Sequence, residues 1–259
     1  MDLKLAGKTA IVTGSTAGIG LAIAQRLSQE GVAVTVTGRN RAKLDAAATQ
    51  IGGAVNPVLA DPATAQGAAT LIAAVPDTDI LINNLGIYEA KDFAQISDDD
   101  WHRLFEVNVV SGARLARHYF PRMLKADWGR ILFIASESGL LPPPEMIHYG
   151  MTKSAQLSIS RGLAEQTRGT GVTVNSVLPG PTRSEGIVDF IRSVVADKDA
   201  PEADREAEFF TALRPLSLIG RLIEADEVAA MVAYLASPLA AATNGAALRV
   251  EGGIVPTIA

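Results

Sequence analysis

Thr13-Gly14-Ser15-Thr16-Ala17-Gly18-Ile19-Gly20 is the stretch of sequence that decides the fold. The apolar, β-branched run of residues 9–12 before it predicts a buried strand. Isoleucine or leucine recurs at positions 19, 23 and 27, which is the spacing of one face of a helix. A strand, a glycine-rich turn and a helix in this order present backbone N–H groups and the positive end of a helix to a phosphate. The sequence therefore predicts a phosphate-binding turn.

The three glycines of this turn have different expected tasks. Gly14 takes the turn that a residue with a Cβ resists, Gly18 lets a pyrophosphate approach the backbone, and Gly20 lets helix and strand pack closely. The alternative interpretation is a tight strand-to-helix turn that binds no ligand, which three glycines in this position make less favoured. The candidate phosphate site also includes Ser15, Thr16 and Ile19.

The composition excludes several classes of function. The chain has 259 residues, 48% of them hydrophobic, a net charge of −5, three histidines and no cysteine. It can bury a sizeable core, and its acidic balance gives no support to binding of nucleic acid or of an anionic membrane surface. Without cysteine there is no disulfide, thiol nucleophile or thiolate metal site, and we expect no metal site. The N-terminus does not resemble a signal peptide and no apolar run is long enough to span a membrane, so we expect a cytoplasmic protein.

Short apolar runs alternate with helical patterns along the whole chain. The runs predict strands at about residues 9–12, 32–37, 54–59, 79–83, 129–135, 172–177 and 246–250. The longest predicted helices begin after Ser97, a good N-cap, and at Tyr149, and end near Leu124 and Arg168. Strands that are apolar throughout and alternate with helices predict a parallel sheet covered on both faces. We therefore expect an α/β fold, a Rossmann-type doubly wound parallel seven-stranded sheet with helices on both faces, in a single domain over residues 1–259.

The end of the second predicted strand indicates which dinucleotide binds. In dinucleotide folds an acidic residue about 20 positions after the glycine turn binds the ribose 2′-hydroxyl of NAD. Residues 37–40 contain no carboxylate and offer the guanidinium of Arg39, which suits a 2′-phosphate by its charge and its planar donors. The hydroxyl groups of Ser15 and Thr16 could add donors. NADP(H) is therefore favoured over NAD(H), and the alternative is that Arg39 is an ordinary surface arginine.

Further motifs follow in a fixed order along the chain. Asn83-Asn84-Leu85-Gly86 follows the fourth predicted strand, Ser136 ends the fifth, and Tyr149 precedes Lys153 by four residues. Together with the glycine turn, this ordered set resembles the short-chain dehydrogenase/reductase family along nearly the whole chain. Leu85 departs from the family, which usually has alanine there. The resemblance also rests on Asp61, Asn108 and the run Pro179-Gly180-Pro181-Thr182.

The catalytic set can also be argued from its chemistry. Tyr149 and Lys153 lie on the same face of a helix, about one turn apart. A phenol with a pKa near 10 is a poor acid or base at neutral pH, and a nearby ammonium should lower that pKa. Tyr149 can then give a proton to a carbonyl oxygen or take one from an alcohol. Ser136, at the carboxyl end of a strand, would hydrogen-bond the same oxygen. Ser138 is a less favoured alternative, because the spacing to Tyr149 favours Ser136.

The resemblance implies roles for the remaining residues. Asn108 would be the fourth catalytic residue and bind a water in a proton relay from Lys153, which also holds the nicotinamide ribose; the alternative for Asn108 is a capping or helix-bend asparagine. Asp61 would contact the adenine amino group, and Thr182 the nicotinamide carboxamide. The full set of predicted cofactor-binding residues is Gly14, Ser15, Thr16, Gly18, Ile19, Gly20, Arg39, Asn40, Asp61, Asn83, Gly86, Tyr149, Lys153, Pro179, Gly180 and Thr182.

The substrate is indicated only as a class. Residues 87–88 and 140–146 should form apolar walls, and residues 184–218 form an insertion that we predict to be a lid, its charged half alternatively a solvated surface helix. These walls favour an apolar ketone or aldehyde. A 3-oxoacyl thioester is an alternative substrate. If it were attached to an acidic carrier, docking would need a basic patch, and Arg130 and Arg168 are weak evidence for one. The predicted substrate-binding residues are Ile87, Tyr88, Ser138, Leu141, Met146 and Ile187.

These observations predict an NADP(H)-dependent oxidoreductase that interconverts a carbonyl and an alcohol by hydride transfer, with Tyr149 as the general acid and base. One alternative is a non-redox enzyme of the same fold, such as a dehydratase or an epimerase. Another is a catalytically silent nucleotide-binding sensor, against which the presence of all four candidate catalytic residues argues. The resemblance also implies a homo-oligomer, a dimer or tetramer, formed through the two long helices. The expected partner is a small-molecule substrate, with no nucleic acid and no membrane.

Overall fold

The computed structural model describes residues 2–258 of the chain. Within these residues seven parallel strands form one sheet, in the order β3-β2-β1-β4-β5-β6-β7. The predicted doubly wound parallel sheet is confirmed, and every strand boundary lies within two residues of its predicted position. The strands are β1 Thr9–Val12, β2 Ala33–Gly38, β3 Val55–Leu59, β4 Ile80–Asn83, β5 Gly129–Ile134, β6 Val172–Pro179 and β7 Ala247–Val250.

Helices cover both faces of the sheet. On one face α1 packs against α9, and on the other α3 packs against α5. Two π-helical segments occur as well: Glu106–Val110 joins α4 to α5, and Phe209–Leu213 follows α8. The α-helices of the described residues are α1 Gly18–Gln29, α2 Arg41–Ile51, α3 Ala65–Ala74, α4 Asp98–Phe105, α5 Ser111–Lys125, α6 Ile147–Glu165, α7 Glu185–Val194, α8 Glu202–Glu208 and α9 Ala225–Ala236.

The side chains of the central strands pack into two separate hydrophobic cores, one on each face of the sheet. Along β4, Ile80 and Ile82 point into the core beneath α1 and α9, whereas Leu81 between them points into the core beneath α3 and α5. The same alternation occurs in β5, where Leu132 and Phe133 belong to opposite cores. Successive side chains of a strand point to opposite faces, so a strand buried on both sides is apolar at most of its positions. The fully buried β6 still contains Thr173, Asn175 and Ser176. This is why the strands could be recognised from their composition.

The order of the strands determines where a ligand can bind. β1 lies between β2 and β4, so the chain winds outward in one direction from β1 to β3 and in the other from β4 to β7. Because all strands are parallel, their carboxyl ends meet at one edge, and a crevice opens where the winding direction reverses. The glycine turn after β1 and the Asn83-Asn84-Leu85-Gly86 stretch after β4 therefore lie next to one another.

The long helix predicted after Ser97 is interrupted. Its start is as expected: the hydroxyl of Ser97 accepts from the Asp100 N–H across 3.2 Å, and the Asp100 carboxylate accepts from the Ser97 N–H across 3.0 Å. This is a capping box. The helix then widens into the π-helical segment Glu106–Val110 before it continues as α5. The second long helix, α6, begins at Ile147 and ends at Glu165, slightly earlier than predicted at both ends.

The insertion at residues 184–218 is folded and forms α7, α8 and the second π-helical segment. Its apolar side chains pack in a third hydrophobic cluster, which includes Met146, Ile187, Phe190 and Phe209. Arg183, at its base, binds carboxylates of Glu206 and Glu224 at 3.1 and 3.0 Å. The insertion thus shares a small hydrophobic core with Met146 and Leu222, which lie outside it. Among the helices of residues 2–258, none has the length and apolar character that crossing a membrane requires.

Candidate active site

A cavity of about 410 Å³ lies at the carboxyl edge of the sheet. It runs from the glycine turn, past the ends of β4, β5 and β6, to α6 and the insertion. This volume is within the range of small-molecule sites. Of the predicted residues, those that line it are Gly14, Gly18, Ile19, Gly20, Gly86, Tyr88, Ser136, Ser138, Met146, Tyr149, Lys153, Pro179, Gly180, Thr182 and Ile187.

The glycine turn forms a narrow cradle. Gly14 and Gly18 have φ angles of 62° and 54°, a region that favours glycine. A Cβ on Gly20 would overlap the carbonyl oxygen of Gly14 and the side-chain amide of Asn84. Ala17, which precedes α1, has no side chain that could cap the helix, so the first N–H groups of α1 are available to an anion. This cradle fits the pyrophosphate of a dinucleotide.

The side chains of two polar residues predicted to bind the cofactor have structural hydrogen-bond partners. The hydroxyl of Ser15 donates to the Val12 carbonyl at 2.8 Å and accepts from the Thr37 N–H at 3.0 Å, so it ties β1 to β2. The side-chain oxygen of Asn40 accepts from the Lys43 N–H at 3.0 Å and caps α2. Neither side chain lines the cavity. The expectation that Ser15 donates to a 2′-phosphate is therefore replaced by a structural role for its hydroxyl.

Arg39 stands at the carboxyl end of β2 and is not part of the cavity wall. Its side chain is 85% exposed, and its guanidinium lies 4.0 Å from the carboxylate of Asp61. A methyl group of Thr16 is next to Gly38, immediately before Arg39. A guanidinium with one long contact to a half-exposed carboxylate keeps donors for another anion. Of the donors proposed for a 2′-phosphate, Arg39 and Thr16 are thus left.

Three further predicted residues lie away from the cavity. The side chain of Asn83 is next to Gly112 in α5, and Asn84 lines the cavity instead, with its amide donating to the carbonyls of Thr13 and Gly14. Leu141 is exposed, and Ile87 contacts Asn108 through its backbone. Asn83, the last residue of β4, points to the face of the sheet that α5 covers, whereas Asn84 follows the strand and lines the cleft. The predicted substrate wall is therefore formed without Ile87 and Leu141.

Lys153 lies one turn after Tyr149 on α6 and is buried. Its ammonium nitrogen donates to the Ile134 carbonyl at 3.0 Å and to the side-chain oxygen of Gln156 at 3.2 Å. It is 5.5 Å from the centre of the Tyr149 ring. The Tyr149 hydroxyl faces the side chain of Ser136, and the ring of Tyr88 meets that of Tyr149 edge-on at 6.0 Å. The structure thus brings Ser136, Tyr149 and Lys153 to one wall of the cavity.

The electrostatics of this group differ from the expectation. Burial raises the pKa of the Tyr149 phenol, the carboxyl of Glu137 raises it further, and the hydrogen bond with Ser136 acts in the opposite direction. Burial also lowers the pKa of Lys153 to about 7, against the influence of Glu137. The sequence predicts the opposite, that the Lys153 ammonium lowers the phenol pKa. Loss of hydration disfavours the charged forms of both groups, and here it is larger than the effect of the neighbouring charge.

Asn108 lies inside the π-helical segment and links it to the loop after β4. Its side-chain oxygen accepts from the Ile87 N–H at 2.8 Å, and its amide donates to the Ile87 carbonyl at 2.9 Å and to the Thr152 hydroxyl at 3.0 Å. Its main-chain carbonyl accepts from the side-chain amide of Gln156 at 2.5 Å. Asn108 therefore connects to Lys153 through Gln156, a residue that the sequence analysis did not single out.

A buried carboxyl and a buried guanidinium were also missed. The Glu137 side chain lines the cavity with 5% of its surface exposed and is hydrogen-bonded to the hydroxyls of Ser136 and Ser138. Arg214, from the insertion, lines the same cavity and binds Glu145 at 2.9 Å. The position of Glu137 directly after Ser136 was a usable signal. Nothing local indicated that Arg214 would reach this cavity, because the chain brings it from far away in sequence.

Arg130 does not provide the basic patch that an acidic carrier would need. Its side chain is 2% exposed, and its guanidinium donates to the carbonyls of Gly171 and Ser237 at 2.8 and 3.3 Å. Burial lowers its pKa. The Arg130 side chain is thus part of the protein interior, and the support for a carrier-docking surface is reduced to the exposed Arg168.

Comparison with known proteins identifies the class of protein to which this fold and this site belong. The short chain dehydrogenase family model matches residues 8–192. The uncharacterized oxidoreductase YvaG of Bacillus subtilis strain 168 is 48% identical over 263 residues, and the match covers 100% of both chains. This chain belongs to the short-chain dehydrogenase/reductase family. The predicted family and the prediction of an NAD(P)-dependent enzyme of that family are confirmed.

Two more distant proteins indicate the range of the family around this chain. A 3-oxoacyl-[acyl-carrier-protein] reductase of Aquifex aeolicus strain VF5 is 31% identical, over 98% of this chain and 100% of that one. The solved structure of L-sorbose reductase from Gluconobacter frateurii, complexed with NADPH and L-sorbose, is 28% identical with a TM-score of 0.92, over 100% of both chains. The whole of this chain, including the insertion, therefore has a counterpart in a solved reductase.

Proposed function

We propose that this protein is an NADP(H)-dependent oxidoreductase that interconverts a carbonyl group and an alcohol of a small molecule, with Tyr149 as the general acid and base. The observation that carries the proposal is the meeting of Ser136, Tyr149 and Lys153 in one cavity that also contains the glycine cradle. A proton donor, a hydrogen-bond donor and a dinucleotide cradle in one cavity are the parts that such a reaction needs.

The residues of the site divide the reaction between them. A bound nicotinamide would supply or accept the hydride. Ser136 donates a hydrogen bond to the substrate oxygen and stabilises the charge that develops there. Tyr149 gives its phenolic proton to that oxygen in reduction and takes it back in oxidation. Lys153, when charged, favours the phenolate left on Tyr149, and its free donor position is available to a ribose hydroxyl.

The preference for NADP(H) rests on the end of β2. Arg39 is exposed there, no carboxylate stands at residues 37–40, and the sorbose reductase of the same fold has NADPH bound. Arg39 and Thr16 would hold the 2′-phosphate, and the N–H groups of the glycine turn the pyrophosphate. NAD(H) is the alternative, although residues 37–40 contain no carboxylate that would bind its ribose 2′-hydroxyl.

The cavity indicates the substrate class. Its walls near the insertion are largely apolar, with Met146, Ile187, Phe190 and Phe209, although Glu185 and Arg214 line the cavity as well. The ring of Tyr88 packs between Tyr149 and Phe190. We infer a small ketone or aldehyde with an apolar part. The buried Arg130 favours a free small molecule over one attached to an acidic carrier. Residues 184–218 would act as the lid over this substrate.

The test is a screen of ketones and aldehydes as substrates with NADPH and with NADH, in which the absorbance of the reduced cofactor is followed. Tyr149→Phe should lower kcat by about 100-fold or more, the contribution of a general acid. It should leave the Kd for NADPH within about threefold, because the phenol acts on the substrate oxygen. Tyr234→Phe, on the exposed face of α9, is the matched control. A Tyr149→Phe enzyme with unchanged turnover would contradict the assignment, and conversion without net oxidation or reduction would indicate non-redox chemistry.

We also propose that the protein is a cytoplasmic homo-oligomer, a dimer or tetramer formed through the α4–α5 and α6 helices. Light scattering at micromolar concentration tests the assembly. Phe105 is a large apolar side chain that is 40% exposed on α4, and Phe105→Glu should weaken an interface formed there. A monomer in the unaltered protein would contradict this proposal and leave the proposed chemistry untouched.

A further inference from the structure

The carboxyl of Glu137 is placed where it controls the only proton of the Ser136 hydroxyl. The Ser136 oxygen and one Glu137 carboxyl oxygen are hydrogen-bonded, and the other carboxyl oxygen accepts from the Ser138 hydroxyl at 3.3 Å. The Ser136 oxygen also accepts from the Ser138 N–H at 3.1 Å. A serine hydroxyl has one proton to donate. While Ser136 donates that proton to an ionised Glu137, it cannot donate it to a substrate oxygen.

We propose that Glu137 is a positioning residue that acts in its neutral form: its carboxyl O–H donates to Ser136, and the Ser136 hydroxyl proton is thereby directed to the substrate oxygen. The inference rests on the proposed function, because it assigns the Ser136 donor to the carbonyl oxygen of that reaction. No proton is consumed at Glu137. The proton that reaches the product oxygen comes from Tyr149, and Glu137 has the same protonation state before and after the reaction.

The surroundings of Glu137 favour the neutral form. Burial raises its pKa, and the hydrogen bonds from Ser136 and Ser138 and the charge of Arg214 reduce that effect. Arg214 is partly neutralised by Glu145, whose carboxylate is 2.9 Å from the guanidinium. The groups facing Glu137 are therefore Ser136 and Ser138 beside it, Tyr149 and Lys153 from α6, and Arg214 from the insertion.

The pH dependence of reduction separates this role from a simple charge effect. If the neutral form is required, kcat/KM for carbonyl reduction falls by about tenfold per pH unit above the pH at which Glu137 ionises. In Glu137→Gln the amide N–H donates to Ser136 at every pH, and the amide oxygen can still accept from Ser138. The alkaline fall should therefore move to higher pH or disappear.

A charge effect through Lys153 has the opposite sign. The Glu137 charge raises the pKa of Lys153, so its removal can only lower that pKa and move a Lys153-dependent fall to lower pH. A fall that stays in place or moves to lower pH in Glu137→Gln therefore overturns the proposal. Glu165→Gln, with a half-exposed carboxylate near the end of α6, is the matched control and should reproduce the unaltered profile.

A second variant and a measurement without turnover complete the test. Ser136→Ala should lower kcat by about 100-fold or more. In that background, the change Glu137→Gln should no longer alter the pH profile, since no hydroxyl is left to orient; a persisting shift would overturn the proposal. Infrared spectra of the protein without cofactor at pH 7 should show the C=O stretch of a protonated carboxyl that is absent in Glu137→Gln. If that band is missing, the proposal for Glu137 is contradicted, whether or not the protein reduces carbonyls. If the band is present but the protein shows no turnover, only the proposed oxidoreductase function is contradicted.

Discussion

The side-chain amide of Gln156 donates to the main-chain carbonyl oxygen of Asn108 across 2.5 Å. The oxygen of the same side chain accepts from the Lys153 ammonium at 3.2 Å, so one amide spans the distance between the π-helical segment and Lys153. The family resemblance implies a water in a relay between Asn108 and Lys153. A carboxamide does not release a proton at neutral pH, so Gln156 anchors Lys153 in this protein and does not pass protons on.

Replacement of Gln156 should change the state of Lys153 in a direction that depends on the new side chain. Gln156→Met removes an acceptor of the ammonium, and we expect the pKa of Lys153 to fall below about 7 and kcat to fall by roughly tenfold, the effect of one hydrogen bond to a charged group. Gln156→Glu places a negative charge beside the ammonium and should raise that pKa. The pH dependence of kcat measures both.

The two variants provide their own contrast, because they should move the pH profile in opposite directions. Gln166→Met, at the exposed end of α6, is the control for loss of a glutamine. If both Gln156→Met and Gln156→Glu left the pH dependence of kcat unchanged, Gln156 would not influence the pKa of Lys153. The contact with the Ile134 carbonyl alone would then hold the ammonium, and the anchoring role of Gln156 would be wrong.

The fold was predictable because the features that produce it are local. Continuous apolar runs such as residues 131–134, and isoleucine or leucine at i, i+4 and i+8 in α1, are visible without knowledge of distant contacts. The Tyr149–Lys153 pair was predictable for the same reason. Gln156 could have been found too, since it lies three residues after Lys153 and therefore on the same helix face.

What was missed depends on contacts between distant parts of the chain. The π-helical segment at Glu106–Val110 is held from outside the helix, by Ile87 and Gln156 on Asn108, and the helical pattern contains no sign of it. The helical spacing placed Lys153 beside Tyr149 correctly, but it did not tell how deeply both would be buried, and burial reverses the expected shift of the phenol pKa. Arg214 binds Glu145, a partner 69 residues away.

Arg39 should decide between the two dinucleotides. Arg39→Ala removes a guanidinium that is 85% exposed and whose nearest carboxylate is 4.0 Å away, so little stability should be lost. Loss of charge-assisted hydrogen bonds to a 2′-phosphate should raise the Kd for NADPH by about 10- to 100-fold, and the Kd for NADH should change by less than about threefold. Fluorescence titration with both nucleotides measures this.

The control for this experiment is Arg168→Ala, which removes a similarly exposed arginine away from the cavity. The ratio of the two dissociation constants is the informative quantity. Equal weakening of NADPH and NADH in Arg39→Ala would mean that Arg39 acts on a part common to both cofactors, and the assignment of the 2′-phosphate to this residue would be wrong.

Lys153 should make the stability of the protein depend on pH. Its pKa is about 7 in the folded protein and near its ordinary value of 10.5 in the unfolded chain, so between these values the unfolded chain binds more protons. The free energy of unfolding should therefore rise with pH above about 7, by at most about 1.4 kcal/mol per pH unit from this residue. Lys153→Met should remove that rise, as measured by urea unfolding at pH 7, 8 and 9.

Glu137 contributes to the pH dependence of the free energy of unfolding with the opposite sign. Because its pKa is raised in the folded protein, it gives stability that is lost as the pH rises through that pKa. That contribution is present in both proteins and largely cancels when they are compared. Lys125→Met, at the exposed end of α5, should leave the slope unchanged. Parallel curves for the unaltered protein and Lys153→Met would show that burial does not depress the lysine pKa.

Gly20 and Gly162 provide a matched pair that tests the cradle. Both lie in helices, but a Cβ on Gly20 would overlap the Gly14 carbonyl oxygen, whereas a Cβ on Gly162 would meet nothing within 4 Å. Gly162→Ala should stabilise by about 0.5–1 kcal/mol, because alanine loses less backbone entropy in a helix. Gly20→Ala should destabilise by about 1–3 kcal/mol, since backbone atoms must move to make room.

The two variants should also differ in cofactor binding. The displaced atoms of Gly20→Ala belong to the turn that would hold the pyrophosphate, so the Kd for NADPH should rise by more than tenfold, while Gly162→Ala binds as the unaltered protein does. Thermal unfolding with and without NADPH measures both effects, with about 2–4 °C expected per kcal/mol for a chain of this size. A Gly20→Ala protein that binds NADPH normally would mean that the close packing of α1 on the turn serves stability alone, and the pyrophosphate would have to be held elsewhere.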